Sequence, residues 1–193
     1  MANLYIITGC NGAGKTTASF TVLPEMLECH EFINSDEIAK GLSPFIHENV
    51  AIKSGKIMLC KIDQLIKAGV DFAFETTLAA KVFVRTIEKA KEAGYHITMV
   101  FFWLDSIELA NERVKNRVME GGHNVHSEVI KRRYYAGLKN LFNLYIPMCD
   151  YWMLFDNSKL QSELIADGYA GNNINIKNNA IFEAIKMQSF YDS

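Results

Sequence analysis

Residues 9–16 read Gly-Cys-Asn-Gly-Ala-Gly-Lys-Thr, a fit to G-x-x-x-x-G-K-[ST] at every required position, directly behind the apolar stretch Leu4-Tyr5-Ile6-Ile7-Thr8. A strand that stops at Thr8 delivers this loop to the N-terminus of a helix. There, unpaired backbone N–H groups and the helix dipole attract phosphate oxygens. Glycine at 9, 12 and 14 lets the backbone curl closely enough. The spacing therefore predicts a nucleoside triphosphate cradle formed by Gly9, Asn11, Gly12, Ala13, Gly14 and Thr17, opening a helix that runs from Thr17 to Leu27. Lys15 is expected to reach the β- and γ-phosphates as a mobile point charge, and Thr16 to complete the coordination of Mg²⁺.

A chain of 193 residues with 49% hydrophobic content has enough apolar matter for one packed domain. The formal net charge of −2 argues against a dedicated nucleic-acid or membrane-surface protein. That total hides an asymmetry, because Arg113 to Lys139 holds seven basic and two acidic residues; this segment is net +5, so the remainder carries −7. Four cysteines (Cys10, Cys29, Cys60, Cys149) show no C-x-x-C spacing, which suits a reducing compartment and argues against zinc. The chain enters a strand with no basic n-region or cleavage site, and no apolar run approaches bilayer-spanning length, so a cytoplasmic protein is expected.

Five apolar runs alternate with helix-like stretches: Leu4 to Thr8, Phe32 to Asn34, Phe72 to Phe74, Ile97 to Leu104 and Tyr151 to Phe155. This alternation predicts an α/β fold with a mostly parallel five-stranded sheet and crossover helices. The helices His47 to Lys67 and Ala79 to Ala93 are each closed by a glycine, Gly69 and Gly94. Spacing marks Ile57, Leu59, Ile62, Leu65 and Ile66 as the core face of the first. Beyond Ser158, the Asn-rich stretch Asn172 to Asn179 reads as a loop or edge strand before a helix from Ala180 to Met187.

Ligands of an open parallel sheet sit beyond the carboxyl ends of its strands, where three carboxylates follow apolar runs: Asp36, Glu75 and Asp105. Asp105-Ser106-x-Glu108 reads as a helix start and needs no chemistry. Asp36 opens a short helix that Ser35 or Asp36 could cap, but it is also placed to act as a base facing the γ-phosphate. Glu75, behind a buried aromatic strand, is costly to desolvate without a cation, and Lys15 or Mg²⁺ is the cation at that end of the sheet. The positive segment supplies arginines: Arg113 and Arg117 are one helical turn apart, and Arg132 and Arg133 stand early in the next helix, past Gly121-Gly122. Two helices joined by a glycine hinge, at about 106–140, form a lid able to clamp a phosphoryl group in flight. His123 and His126 are better explained as phosphate donors than as metal ligands, and Cys10 as a space-filler.

Five segments in order resemble the zeta toxin-like branch of P-loop kinases, closest to its small stand-alone members. They are Gly9 to Thr17, Asn34 to Pro44, Phe74 to Leu78, Gly121 to Val125 with Arg132-Arg133-Tyr134, and Asp156-Asn157-Ser158. The resemblance runs from Leu4 to about Ser158. It implies a three-layer P-loop NTPase fold of nucleotide-monophosphate-kinase type. It also implies phosphorylation of a sugar hydroxyl, as in the zeta toxins that act on UDP-N-acetylglucosamine with ATP and Mg²⁺. Carried over, Lys15 and Thr16 serve phosphates and metal, Asp36 takes the place of the base, Glu75 is the second acidic site residue, and Arg117 and Arg132 match the lid arginines. His126 stands where proline is usual, and Lys56 where arginine is common. No antitoxin partner is named by the sequence.

Two function classes follow. One is a phosphotransferase acting on a small hydroxyl-bearing acceptor; the other is an ATPase or nucleotide switch without such an acceptor. A polynucleotide kinase is disfavoured by the overall acidity and by the lack of a basic, aromatic-interleaved stripe.

Overall fold

β1 (Asn3–Gly9) is buried from Leu4 onward because it lies mid-sheet, hydrogen-bonded in parallel to β3 (Phe72–Thr76) on one side and β4 (His96–Trp103) on the other. The computed structural model describes residues 1–43, 50–122, 124–170 and 173–191. It sets β2 (Phe32–Ile33) outside β3 and β5 (Tyr151–Asp156) outside β4, again parallel. The chain passes outward to β2, returns through β3, and then crosses β1 to reach β4. The strand order thus reverses at β1, and a crevice opens at the carboxyl ends beside that reversal.

Two further strands enlarge the expected five-stranded sheet to seven, in the order β2-β3-β1-β4-β5-β6-β7. β6 (Glu163–Tyr169) and β7 (Asn173–Ile176) run antiparallel on the β5 side. β7 occupies part of the Asn-rich stretch, and Asn172 lies outside the described residues. β6 escapes a sequence reading because Asp167-Gly168 looks like a turn. Gly168 is needed there, since a Cβ would stand 2.8 Å from the Trp152 indole.

The helices are α1 (Lys15–Met26), α2 (Ser35–Leu42), α3 (Ala51–Ala68), α4 (Val82–Glu92), α5 (Ile107–Met119), α6 (Ser127–Asn140) and α7 (Asn179–Gln188). α3 ends at Gly69, whose φ of 67° makes it the left-handed cap that its sequence position anticipates. Its first residues are Ala51 onward; the 47–49 portion of the expected helix lies outside the described residues. α3 buries Met58, Ile62, Leu65 and Ile66 but turns Ile57 to solvent. Ile62, Leu65 and Ile66 thus lie on the expected core face with Leu59 packed against it, and Met58 takes the place expected of Ile57. No helix among the described residues is long and apolar enough to cross a membrane.

Candidate active site

The loop between β1 and α1 is shaped by two close approaches. At Gly9 (φ 142°) a Cβ would sit 2.3 Å from the Phe102 carbonyl oxygen of β4, and at Gly14 (φ 80°) it would sit 2.7 Å from the Asn157 amide. Asn157, just past β5, uses that amide to donate to the Ala13 carbonyl at 2.8 Å, which pins the loop from the neighbouring strand end. Ser158 accepts the Asp105 N–H at 2.8 Å, so Asp156-Asn157-Ser158 fastens both the phosphate loop and the approach to α5. Asp105 acts locally, accepting from Ser106, which caps α5. This agrees with the capping role read from the sequence.

Glu75 does not follow β3 but lies within it, opposite Ile7. Its Oε2 accepts from the Thr16 hydroxyl at 2.7 Å and from Asn34 Nδ2 at 2.9 Å, while Oε1 is 3.5 Å from Lys15 Nζ. Lys15 also donates to the Cys10 carbonyl at 2.9 Å. Both charged side chains are about nine-tenths buried, at 7% and 11% exposure, so each charge is kept inside by the other and by neutral donors. Thr16 and Glu75 offer hard oxygen donors side by side. That set fits Mg²⁺, which takes one or two protein oxygens and keeps water or phosphate for its other positions. Among the described residues no cluster of three or more His, Cys, Asp or Glu could hold a metal.

Asp36 lies in the first turn of α2, where the helix dipole favours a carboxylate. The cap is neither Ser35 nor Asp36 but Asn34, whose Oδ1 accepts the Asp36 N–H at 2.8 Å. Asp36, Lys15 and Glu75 border one cavity of about 510 Å³ with Arg117, Arg132 and Arg133. Arg133 reaches Asn11 Oδ1 at 3.3 Å; burial depresses its pKa, and the Asp36 charge opposes that shift. Arg113 leaves this group: it donates to the Ser158 carbonyl and borders a second cavity of about 610 Å³ with Gly14, Thr17, Ala18 and the 157–162 loop. His123 lies outside the described residues.

Past β3 the chain is gripped by α6 and the π-helical turn Leu141–Tyr145 that continues it. Asn140 donates to the Leu78 carbonyl at 2.7 Å, Tyr145 to that of Ala80 at 2.6 Å, and Gly137 lets α6 lie directly on Thr77. Leu78, at φ 57°, is a left-handed non-glycine residue held by these contacts and by its fully buried side chain. The two helices of the expected lid are therefore present, with the C-terminal half of α6 fastened to the body.

A family model described as Zeta toxin matches residues 2–145. This chain belongs to the Zeta toxin family. An uncharacterized protein of Haemophilus influenzae is 29% identical over 127 residues, covering 65% of this chain and 88% of its own. Among solved structures, the crystal structure of AvrRxo1-ORF1:-ORF2 with ATP superposes with a TM-score of 0.79 at 16% identity, covering 100% of this chain. This chain spans 66% of that one. A structure from the PezAT chromosomal toxin-antitoxin system of Streptococcus pneumoniae gives 0.66 at 16% identity, covering 100% of this chain and 80% of that one. The Zeta toxin chain thus has the α/β fold of P-loop kinases.

Three residues hold this Zeta toxin site together without a role read from sequence: Asn34 and Asn157, which stood only within segments of the resemblance, and Asn140, which was not singled out. Asn34 carried a signal, since Asn two residues before Asp at a strand end is an Asx cap. The other two act across 62 and 144 residues of chain, and local pattern does not name their partners.

Proposed function

We propose that this chain is an ATP- and Mg²⁺-dependent phosphotransferase that moves the γ-phosphate to a hydroxyl of a small acceptor, a nucleotide sugar such as UDP-N-acetylglucosamine being the candidate the family resemblance brings. The observation that carries the reading is one cavity bordered by Lys15, Glu75, Asp36 and three arginines, with uncharged space beside them that a γ-phosphate does not need. In this reading the triphosphate lies on the Gly9–Thr17 loop with Lys15 against the β- and γ-phosphates. The nucleoside extends into the second cavity beside Arg113 and the 157–162 loop. Thr16 and Glu75 would hold Mg²⁺, which would supply charge neutralisation on the phosphates.

Asp36 takes the proton of the acceptor hydroxyl as its oxygen bonds to the γ-phosphorus; the bond to the bridging oxygen breaks and ADP leaves. Arg117, Arg132 and Arg133 face the three equatorial oxygens over which charge spreads. Because α6 is fastened at Asn140, closure on the phosphoryl group falls to the arginine side chains. The free cysteines suit a cytoplasmic setting.

The test is transfer of labelled γ-phosphate from ATP to a panel of nucleotide sugars, nucleosides and sugars. Asp36→Asn should keep ATP affinity within a few-fold and lose about 10²- to 10⁴-fold in transfer. Label released only as inorganic phosphate, with every acceptor offered, would replace this reading by the ATPase one.

A further inference from the structure

Gly55 stands inside α3, where glycine weakens a helix relative to alanine through backbone entropy and lost surface. Among the described residues a Cβ built there meets nothing within 4 Å, so none of their packing calls for glycine. The position borders the cavity that also holds Asp36 and Lys15. Beside it stand Met58 and Leu59 of α3, and the same cavity is bordered by Val82 and Phe83 of α4. Phe83 is itself stacked on Phe74 at 4.9 Å. The α3 and α4 residues that border the cavity carry neither charge nor hydroxyl; its hydroxyls come from Ser35, Thr76 and Thr77. All its charged lining residues belong to the phosphate loop, α2, β3, α5 and α6.

We infer that this wall holds the acceptor's ring that carries the reacting hydroxyl, that the ring is uncharged with an apolar face, and that Gly55 sets the size of substituent admitted. The inference rests on the phosphotransferase reading and narrows it. A charged ring pressed on this wall would lose its hydration without gaining a partner, whereas C–H faces gain from being covered. Glycine lets such a ring approach the helix backbone, an approach that a side chain at 55 would crowd in proportion to its size.

The experiment follows the ¹³C-methyl resonance of Met58 in the full chain, with Mg²⁺ and a non-hydrolysable ATP analogue present, so that transfer is not required. The probes are neutral N-acetylglucosamine and glucose, each against a counterpart charged on the ring: glucosamine and glucuronate. Neutral probes should shift the resonance with an affinity at least about tenfold above their charged counterparts. Gly55→Leu should abolish the shift. Gly55→Ala should raise Tm by about 2 °C and weaken the probes several-fold, with ATP affinity unchanged. A merely structural glycine would not show that combination. Charged probes binding as well as neutral ones, no neutral probe shifting Met58 at millimolar concentration, or binding indifferent to Gly55→Leu would each overturn the inference. Label transfer that ignores Gly55 would sink the wall and spare the phosphotransferase reading; Met58 shifts without transfer to any acceptor would do the reverse.

Discussion

Asn34 donates to Glu75 Oε2 across 2.9 Å while its own Oδ1 accepts the Asp36 N–H at 2.8 Å. One buried amide thus ties the carboxylate beside Lys15 to the first turn of the helix that presents Asp36.

Separating the two ends of that amide gives a first prediction. Asn34→Ser keeps an N-cap acceptor but removes the donor to Glu75, so it should spare the cap, lose about 1–3 kcal/mol at the buried carboxylate, and lower transfer. Asn34→Ala removes both and should lose about 1 kcal/mol for the cap plus about 1–3 kcal/mol for the weakened buried carboxylate. Asn34→Asp caps well but sets a second carboxylate against Glu75, which should move the acid limb of the transfer pH profile upward. An unmoved limb in Asn34→Asp would show that the amide is only a cap.

The Lys15–Glu75 pair calls for a double-mutant cycle. Glu75→Ala strands a lysine that is 7% exposed and should cost about 3–5 kcal/mol by urea unfolding. Adding Lys15→Ala removes the stranded charge, so the double variant should be more stable than Glu75→Ala by about 1–3 kcal/mol. Both Lys15 variants should lose ATP binding in calorimetry. Additive losses would mean that the two charges are held independently.

The sequence made the sheet and the phosphate cradle legible for the same physical reason. Strands covered on both faces, such as His96–Trp103, must be continuous apolar runs, and a backbone wrapped on phosphate must use glycine at fixed spacing. Asp36 and Glu75 were legible because polar residues at strand ends of such a sheet converge. The arginines were legible only as a group: helical spacing put Arg113 with Arg117, yet position along α5 sends Arg113 to Ser158 and leaves Arg117 on the first cavity. What stayed hidden was long-range or partner-dependent. Gly168 in β6 makes sense only once Trp152 is seen against it, and Asn140 only once Leu78 is known to need holding in a left-handed conformation.

Gly9 and Gly14 share a motif but should fail differently. Alanine at Gly9 drives a methyl into the Phe102 carbonyl, backbone of the central strand pair that cannot move aside, and at a φ of 142°. A loss of about 4 kcal/mol or more, or failure to fold, is expected. Alanine at Gly14 meets only the Asn157 side-chain amide, so about 1–2 kcal/mol is expected. Displacing that amide frees the Ala13 carbonyl, and Gly14→Ala should weaken ATP binding beyond its effect on Tm. Equal stability of the two variants would contradict the assignment of these contacts.

Alkaline pH should destabilise the fold through two buried thiols. Burial pushes Cys10 up to about 11, against the opposing pull of Lys15 and Arg113, and pushes Cys149 up to about 12. Below pH 9 both thiols are neutral, folded or unfolded, and the contribution of their burial is fully present. As pH rises past 9 the unfolded thiols ionise and the folded ones do not, so stability is lost progressively until about pH 11 for Cys10 and about pH 12 for Cys149. The full loss is about 3 kcal/mol for Cys10 and about 4 kcal/mol for Cys149. Urea unfolding under reductant at pH 8 and pH 10 should show the decline in wild type and a shallower one in Cys10→Ala/Cys149→Ala. That variant starts lower at pH 8 because it loses buried volume. Exposed Cys60 serves as the internal control: it should react with iodoacetamide at pH 8 while Cys10 and Cys149 do not. Parallel stability curves for the two proteins would assign the alkaline limb to other groups.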